Sequence, residues 1–270
     1  MKHLLKQALA LASFALLSAT AAAQITNTPH NLSATTGPNT QSTTEQICVF
    51  CHTPHASNTG VAAPLWNKAL PGTNYTTYST TNSSTIDGEV LTVGSVSAAC
   101  LSCHDGTQAM DNMFNAPGSG AGEGTGAAGV TQNYTFTGSN MVTGIANLGS
   151  DLTNDHPIGI EYCGGGITGA TTTVSGTCND LDFRRDELRT KLIDTTQVFW
   201  VDVGTAADVR DKQDIILYTR NFTAGGGMGP SVECASCHDP HASAASTGSD
   251  VNFMRVSTDQ SEICLACHVK

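Results

Sequence analysis

Cys48-Val49-Phe50-Cys51-His52-Thr53-Pro54-His55 and Cys234-Ala235-Ser236-Cys237-His238-Asp239-Pro240-His241 are two copies of one pattern. Each contains C-x-x-C-H. That pentapeptide recurs without the trailing Pro-His at Cys100-Leu101-Ser102-Cys103-His104 and Cys264-Leu265-Ala266-Cys267-His268. Two thiols one turn apart reach the two vinyl groups of a single porphyrin, and the adjacent histidine falls beneath its iron. A shuffled chain of this composition would hold roughly 0.01 copies of the pentapeptide. Other uses of cysteine fit less well. A redox dithiol needs one C-x-x-C and no histidine. Structural zinc has no use for four trailing histidines, and nearest-neighbour disulfides leave those histidines unexplained. The expectation is four covalently attached c-type haems, held by Cys48, Cys51, Cys100, Cys103, Cys234, Cys237, Cys264 and Cys267.

The histidine count closes the coordination shell. His3 lies in an expected leader, His52, His104, His238 and His268 are proximal, and His30, His55, His156 and His241 remain. Four six-coordinate irons need four distal ligands, so all eight are expected metal ligands. Methionine is the competing axial ligand, but the count requires none. Met110, Met113, Met141, Met228 and Met254 are therefore read as packing residues against the porphyrins. Irons capped on both faces leave no open position for substrate, which favours electron transfer over catalysis and predicts no enzyme.

Spacing adds a constraint. The α-carbons of two histidines sharing one iron stand roughly 12 Å apart, given metal–nitrogen bonds of about 2 Å. Three residues span at most about 10–11 Å. His55 and His241 must therefore serve an iron other than the one bound just before them, and a Pro-fixed turn carries ligands for two irons. The chain reads as a duplicated unit of distal His, C-x-x-C-H-x-P-H, then C-x-x-C-H.

The 270 residues carry 12 Lys and Arg against 23 Asp and Glu, and charged residues make up only 13%. No basic face is available for nucleic acid. Residues 1–23 have the Lys2 and Lys6 start, the apolar run Leu9–Ala19 and the small residues Ala21–Ala23 of a secretory signal, and no segment is long enough for a membrane span. The expected organisation is signal 1–23, first dihaem module 24–110, a connecting segment 111–230 with distal His156, and second dihaem module 231–270. Cys163 and Cys178, the two cysteines outside the motifs, are expected to pair in an oxidising compartment. Asn115–Gly129 reads as a Gly-rich loop, Asp182–Leu192 as a brief helix, and Gln197–Val203 and Asp214–Thr219 as strands. Thr, Ser, Gly and Asn predominate elsewhere. The expected fold is mostly irregular coil with few short helices and strands, and with the haems as its core.

Thr28-Pro29-His30-Asn31-Leu32, the two C-x-x-C-H-x-P-H motifs, Asn154-Asp155-His156-Pro157-Ile158-Gly159 and the stretch from Phe253-Met254-Arg255 to His268 resemble the doubled-motif multihaem cytochromes c. Within them, the tetrahaem count, export signal and position of His30 resemble the filament-forming extracellular cytochromes of metal-reducing bacteria. The resemblance implies a homopolymer that carries electrons along stacked bis-histidine haems to other cytochromes or external acceptors, with His30 ligating a haem of the neighbouring subunit. The alternatives are a soluble periplasmic tetrahaem shuttle and an electron-transfer subunit of a multihaem reductase.

Overall fold

The computed structural model describes residues 25–34, 42–79, 83–117, 135–136, 142–168, 173–204, 208–223, 227–243 and 253–269. The expected signal 1–23, Met141 and residues 118–129 of the Gly-rich stretch lie outside them. No helix of the described residues is long and apolar enough to cross a membrane.

The connecting segment is a folded sheet. Strands β1 (Ile160–Glu161), β4 (Leu188–Ile193), β5 (Thr196–Val201), β6 (Ile215–Phe222) and β7 (Gly227–Val232) form a five-stranded sheet in the order β1-β7-β6-β5-β4. Every neighbouring pair is antiparallel. Strands β2 (Ile167–Thr168) and β3 (Ser175–Gly176) make a second, two-stranded sheet. The register aligns one apolar face: Leu188 opposes Val201, Val201 opposes Ile215, and Phe199 opposes Leu217. Those side chains are buried with Tyr162, Ile167, Val232 and Ala266. Each fully buried side chain of this size stabilises by roughly 1.5–3 kcal/mol.

The expectation of a mostly irregular chain with the haems as its core is thus overturned. Whole-chain composition diluted a local concentration of β-branched and aromatic residues between 188 and 232. The helix expected over Asp182–Leu192 is also corrected: its second half is β4. Ile193 pairs with Thr196, leaving Asp194 and Thr195 as a two-residue hairpin turn, with Asp194 at φ 52°. Such hairpin turns need a positive φ at their first central residue. Pairing with the apolar β5 outweighs the helix preference of Arg189, Lys191 and Leu192 within β4.

Three helices carry motif cysteines: α1 (Ser95–His104), α2 (Cys234–Cys237) and α3 (Glu262–Leu265). A 3₁₀ turn, Cys48–Phe50, carries the first motif. A smaller apolar cluster gathers Leu32, Phe50, Met110, Met113 and Ala116. Met110 and Met113 are buried in this cluster, whereas Met228 is exposed on β7. The Cys163 and Cys178 sulfurs meet at bonding distance with α-carbons 5.0 Å apart, inside the span of a disulfide.

Two stability outcomes follow. Phe199→Ala should lower the unfolding free energy of the holoprotein by about 3–5 kcal/mol in denaturant titration, while Val209→Ala, on an exposed residue, should change it by no more than about 0.5 kcal/mol. Replacing both Cys163 and Cys178 by Ser should cost about 3 kcal/mol through loop-closure entropy, read as a lowered Tm.

Candidate haem sites

Three of the four motifs are built the same way. A helical turn folds C-x-x-C back on itself, so that the histidine N–H donates to the first cysteine's carbonyl: 2.8 Å at His52, 3.1 Å at His238 and 2.9 Å at His268. The chain then leaves in extended form and is clamped by an antiparallel bridge. His52 pairs with Trp66, His238 with Met254 and His268 with Phe183. Around His52 the bonds are Thr53 N to Leu65 O, 2.9 Å, and Asn67 N to Cys51 O, 2.9 Å. The same two bonds recur around His238, from Asp239 N to Phe253 O, 2.7 Å, and from Arg255 N to Cys237 O, 2.9 Å. Leu65 and Phe253 occupy equivalent places and both take positive φ, 54° and 71°. The duplication therefore extends into backbone conformation. His104 is held differently, its carbonyl accepting from Leu148 N at 2.7 Å.

The imidazoles are oriented one atom further. Nδ1 of His52 meets Pro64 O at 2.7 Å, that of His104 meets Ala146 O at 2.8 Å, that of His30 meets Pro240 O at 3.2 Å, and that of His156 meets Pro157 O at 2.9 Å. A carbonyl only accepts, so Nδ1 carries the proton and Nε2 keeps its lone pair. His241 Nδ1 lies 3.5 Å from the Asp239 carboxylate. Metal-bound histidines are positioned by this kind of outer bond.

Two pairs of rings face each other. His52 and His241 have centroids 5.9 Å apart at an interplanar angle of 15°, and His30 and His104 are 6.1 Å apart at 60°. With metal–nitrogen bonds of about 2 Å on each side, an iron with two imidazole ligands needs about that separation. His30 also stacks on Phe253 at 4.1 Å. Burial lowers the His30 pKa to about 4, with the Pro240 carbonyl opposing and the neighbouring imidazoles adding to the fall. It is neutral at pH 7, the form that binds metal. Burial likewise lowers His238.

Not all expected ligands are brought together. His30, which the resemblance directs to a neighbouring subunit, stands across from His104 of its own chain. His55 and His156 are exposed, and among the described residues no imidazole stands across from either. His268 has its ring 4.3 Å from Phe183.

The cysteines sort by depth. Cys48 and Cys264 are exposed. Burial pushes Cys51 and Cys267 up to about 12 and Cys237 up to about 11. Cys100 and Cys234 lie beside each other, and as free thiols their interaction raises Cys100 and lowers Cys234. The second and third motifs thus touch at their first cysteines. Behind them, Ser97 Oγ donates to Glu233 Oε2 at 2.5 Å and accepts from Cys234 N at 3.0 Å. Arg220 pairs with Glu233 at 2.9 Å.

The residues fit covalent haem. Beyond the rings, Trp66 lies edge-on to His52 at 6.1 Å, with its indole Nε1 buried and without an acceptor among the described residues. Such a donor suits a group that brings its own acceptor oxygens. Phe253 entered the sequence reading only through the resemblance, and Glu233, Arg220 and Trp66 were missed as parts of these sites. They carry no motif, and only the fold brings them to the histidines.

Residues 229–270 match the family model described as the doubled CXXCH motif. No curated protein matches the chain. The matched segment is marked for covalently bound c-type haem, and this motif points to a haem-binding electron-transfer cytochrome of the multihaem kind.

Proposed function

We propose that this chain holds four c-type haems, one at each C-x-x-C-H, and passes electrons along them. The observation that carries this reading is the pair of opposed imidazoles, His52 with His241 and His30 with His104, each about 6 Å apart with Nδ1 committed elsewhere. Bound haem supplies a one-electron Fe(III)/Fe(II) couple, and two imidazole ligands keep its potential low. The residues do the rest. The cysteines fix position and the carbonyls of Pro64, Ala146 and Pro240 orient the rings. The turn His238-Asp239-Pro240-His241 reaches from the third motif to the first, so sites of different modules are tied by three residues. The Cys100–Cys234 contact joins the modules a second time.

The finer reading is an exported homopolymer that carries electrons outside the cell, with the arm 25–34 exchanged between copies. In one chain this arm already crosses from ahead of the first motif to Pro240 and Phe253 of the second module. Exchange of an identical element forms the His30–His104 pair between subunits, and a head-to-tail contact that does not close gives a fibre. The soluble shuttle is the second reading, favoured by the His30–His104 pair within one chain.

The pyridine haemochrome of purified protein should give four haems per chain, with low-spin electron paramagnetic resonance (EPR) signals. His241→Ala should convert one of them to a form that binds carbon monoxide, and an unchanged spectrum would count against the His52–His241 pair. For the polymer, negative-stain imaging of secreted material should show filaments that His30→Ala abolishes. Filaments of normal length in that variant would end the arm-exchange reading, and wild-type material without filaments would leave the shuttle.

A further inference from the structure

Lys68 is fully buried. Its ammonium donates to three carbonyls, Ala109 at 3.1 Å, Met110 at 3.0 Å and Asn112 at 2.9 Å. No carboxylate among the described residues lies within ion-pair distance of it. The neighbouring Asn67 donates its backbone N–H to Cys51 O at 2.9 Å and its side-chain Nδ2 to Val49 O at 2.6 Å, both in the first motif. The three carbonyls belong to the segment just after the second motif. An uncompensated positive charge therefore sits between the attachment sites of Cys48–His52 and Cys100–His104.

The second module differs. Its buried cation, Arg255, holds the place equivalent to Asn67 and stands 3.7 Å from the carboxylate of Asp239. In the first module the equivalent of Asp239 is the neutral Thr53. Within the first module a further asymmetry exists. Asp105, next to His104, is buried and held by the hydroxyls of Tyr75 at 2.7 Å and Thr73 at 3.0 Å. Thr107 adds its backbone N–H and its hydroxyl, each donating to Asp105 Oδ1 at 2.8 Å. Asp105 follows His104 directly and so offsets the ammonium at the second site, whereas the residue that follows His52 is the neutral Thr53.

We infer that Lys68 is a potential-setting residue that makes the site of Cys48, Cys51 and His52 the highest in reduction potential of the chain. Adding one electron to the iron there takes Fe(III) to Fe(II), with the electron coming from dithionite in titration. The site loses one positive charge and the repulsion from the buried ammonium falls, so the reduced form is favoured. The low dielectric around a buried charge makes this larger than at a surface. Electrons entering the chain then settle in the first module. This rests on the haem reading above. A chain without bound haem by pyridine haemochrome fails that reading first, and this inference with it.

The test is a redox titration of full-length holoprotein followed by visible and EPR spectra. Lys68→Gln should lower the highest reduction step by about tenfold or more in the reduced-to-oxidised ratio at fixed potential, ~59 mV for one electron. Lys68→Arg should keep it near the wild-type value. An unmoved top step in Lys68→Gln with its haem content intact overturns the inference, and so does an equal fall in both variants, which marks a structural role. Where Lys68→Gln does not accumulate, Asp105→Asn reads the same field. The step it raises should lie below the top one and close on it, whereas a top step moving away from the rest overturns the inference.

Discussion

Glu233 stands where the sheet becomes the haem-binding part of the chain. It follows β7 directly, precedes Cys234, and its carboxylate is buried. Arg220 from β6 reaches it at 2.9 Å, Ser97 from α1 at 2.5 Å and Ser231 at 3.1 Å, while its own N–H donates to Ser236 Oγ at 2.9 Å. Arg220 also donates to Thr92 O at 3.0 Å, ahead of α1. A buried carboxylate needs such a shell, and removing its ionic partner typically costs about 3–5 kcal/mol. Through this one group the sheet, α1 and α2 are held together.

Around that junction the protein places histidines by backbone rather than by side-chain packing. A helical turn aims the two thiols, a bridge to an extended segment fixes where the histidine leaves, and a carbonyl on Nδ1 sets the rotation of the ring. Positive φ at both Leu65 and Phe253 costs of order 1–3 kcal/mol each where side chains are bulky. Its recurrence at equivalent places ties the strain to the site. The Phe253 ring then becomes the platform for His30.

The sheet gives this arrangement its base. Phe199, Val201, Ile215 and Leu217 form a protein core of their own. The last motif docks onto the same body through Arg184 N to Cys267 O at 2.8 Å and Val269 N to Asp182 O at 2.9 Å. Charge is distributed unevenly over this base. The buried ion pairs lie toward the second module, and the buried ammonium of Lys68, with no carboxylate beside it among the described residues, lies in the first.

Much of the site was legible in the chain because its chemistry is local. Covalent haem attachment is written in five consecutive residues. The separation of His52 from His55 and of His238 from His241 excludes a shared iron on chain reach alone. Strands near 197–203 and 214–219 were legible from β-branched and aromatic residues. The helix read over 182–192 failed because β4 is made by its partner β5, and hairpin pairing is not a property of either segment alone. The pairing of His52 with His241 and of His30 with His104, and the burial of Lys68 without a carboxylate, were decided only by the tertiary structure. Each depends on which distant backbone arrives alongside, and residue order places no such limit on contacts between distant segments.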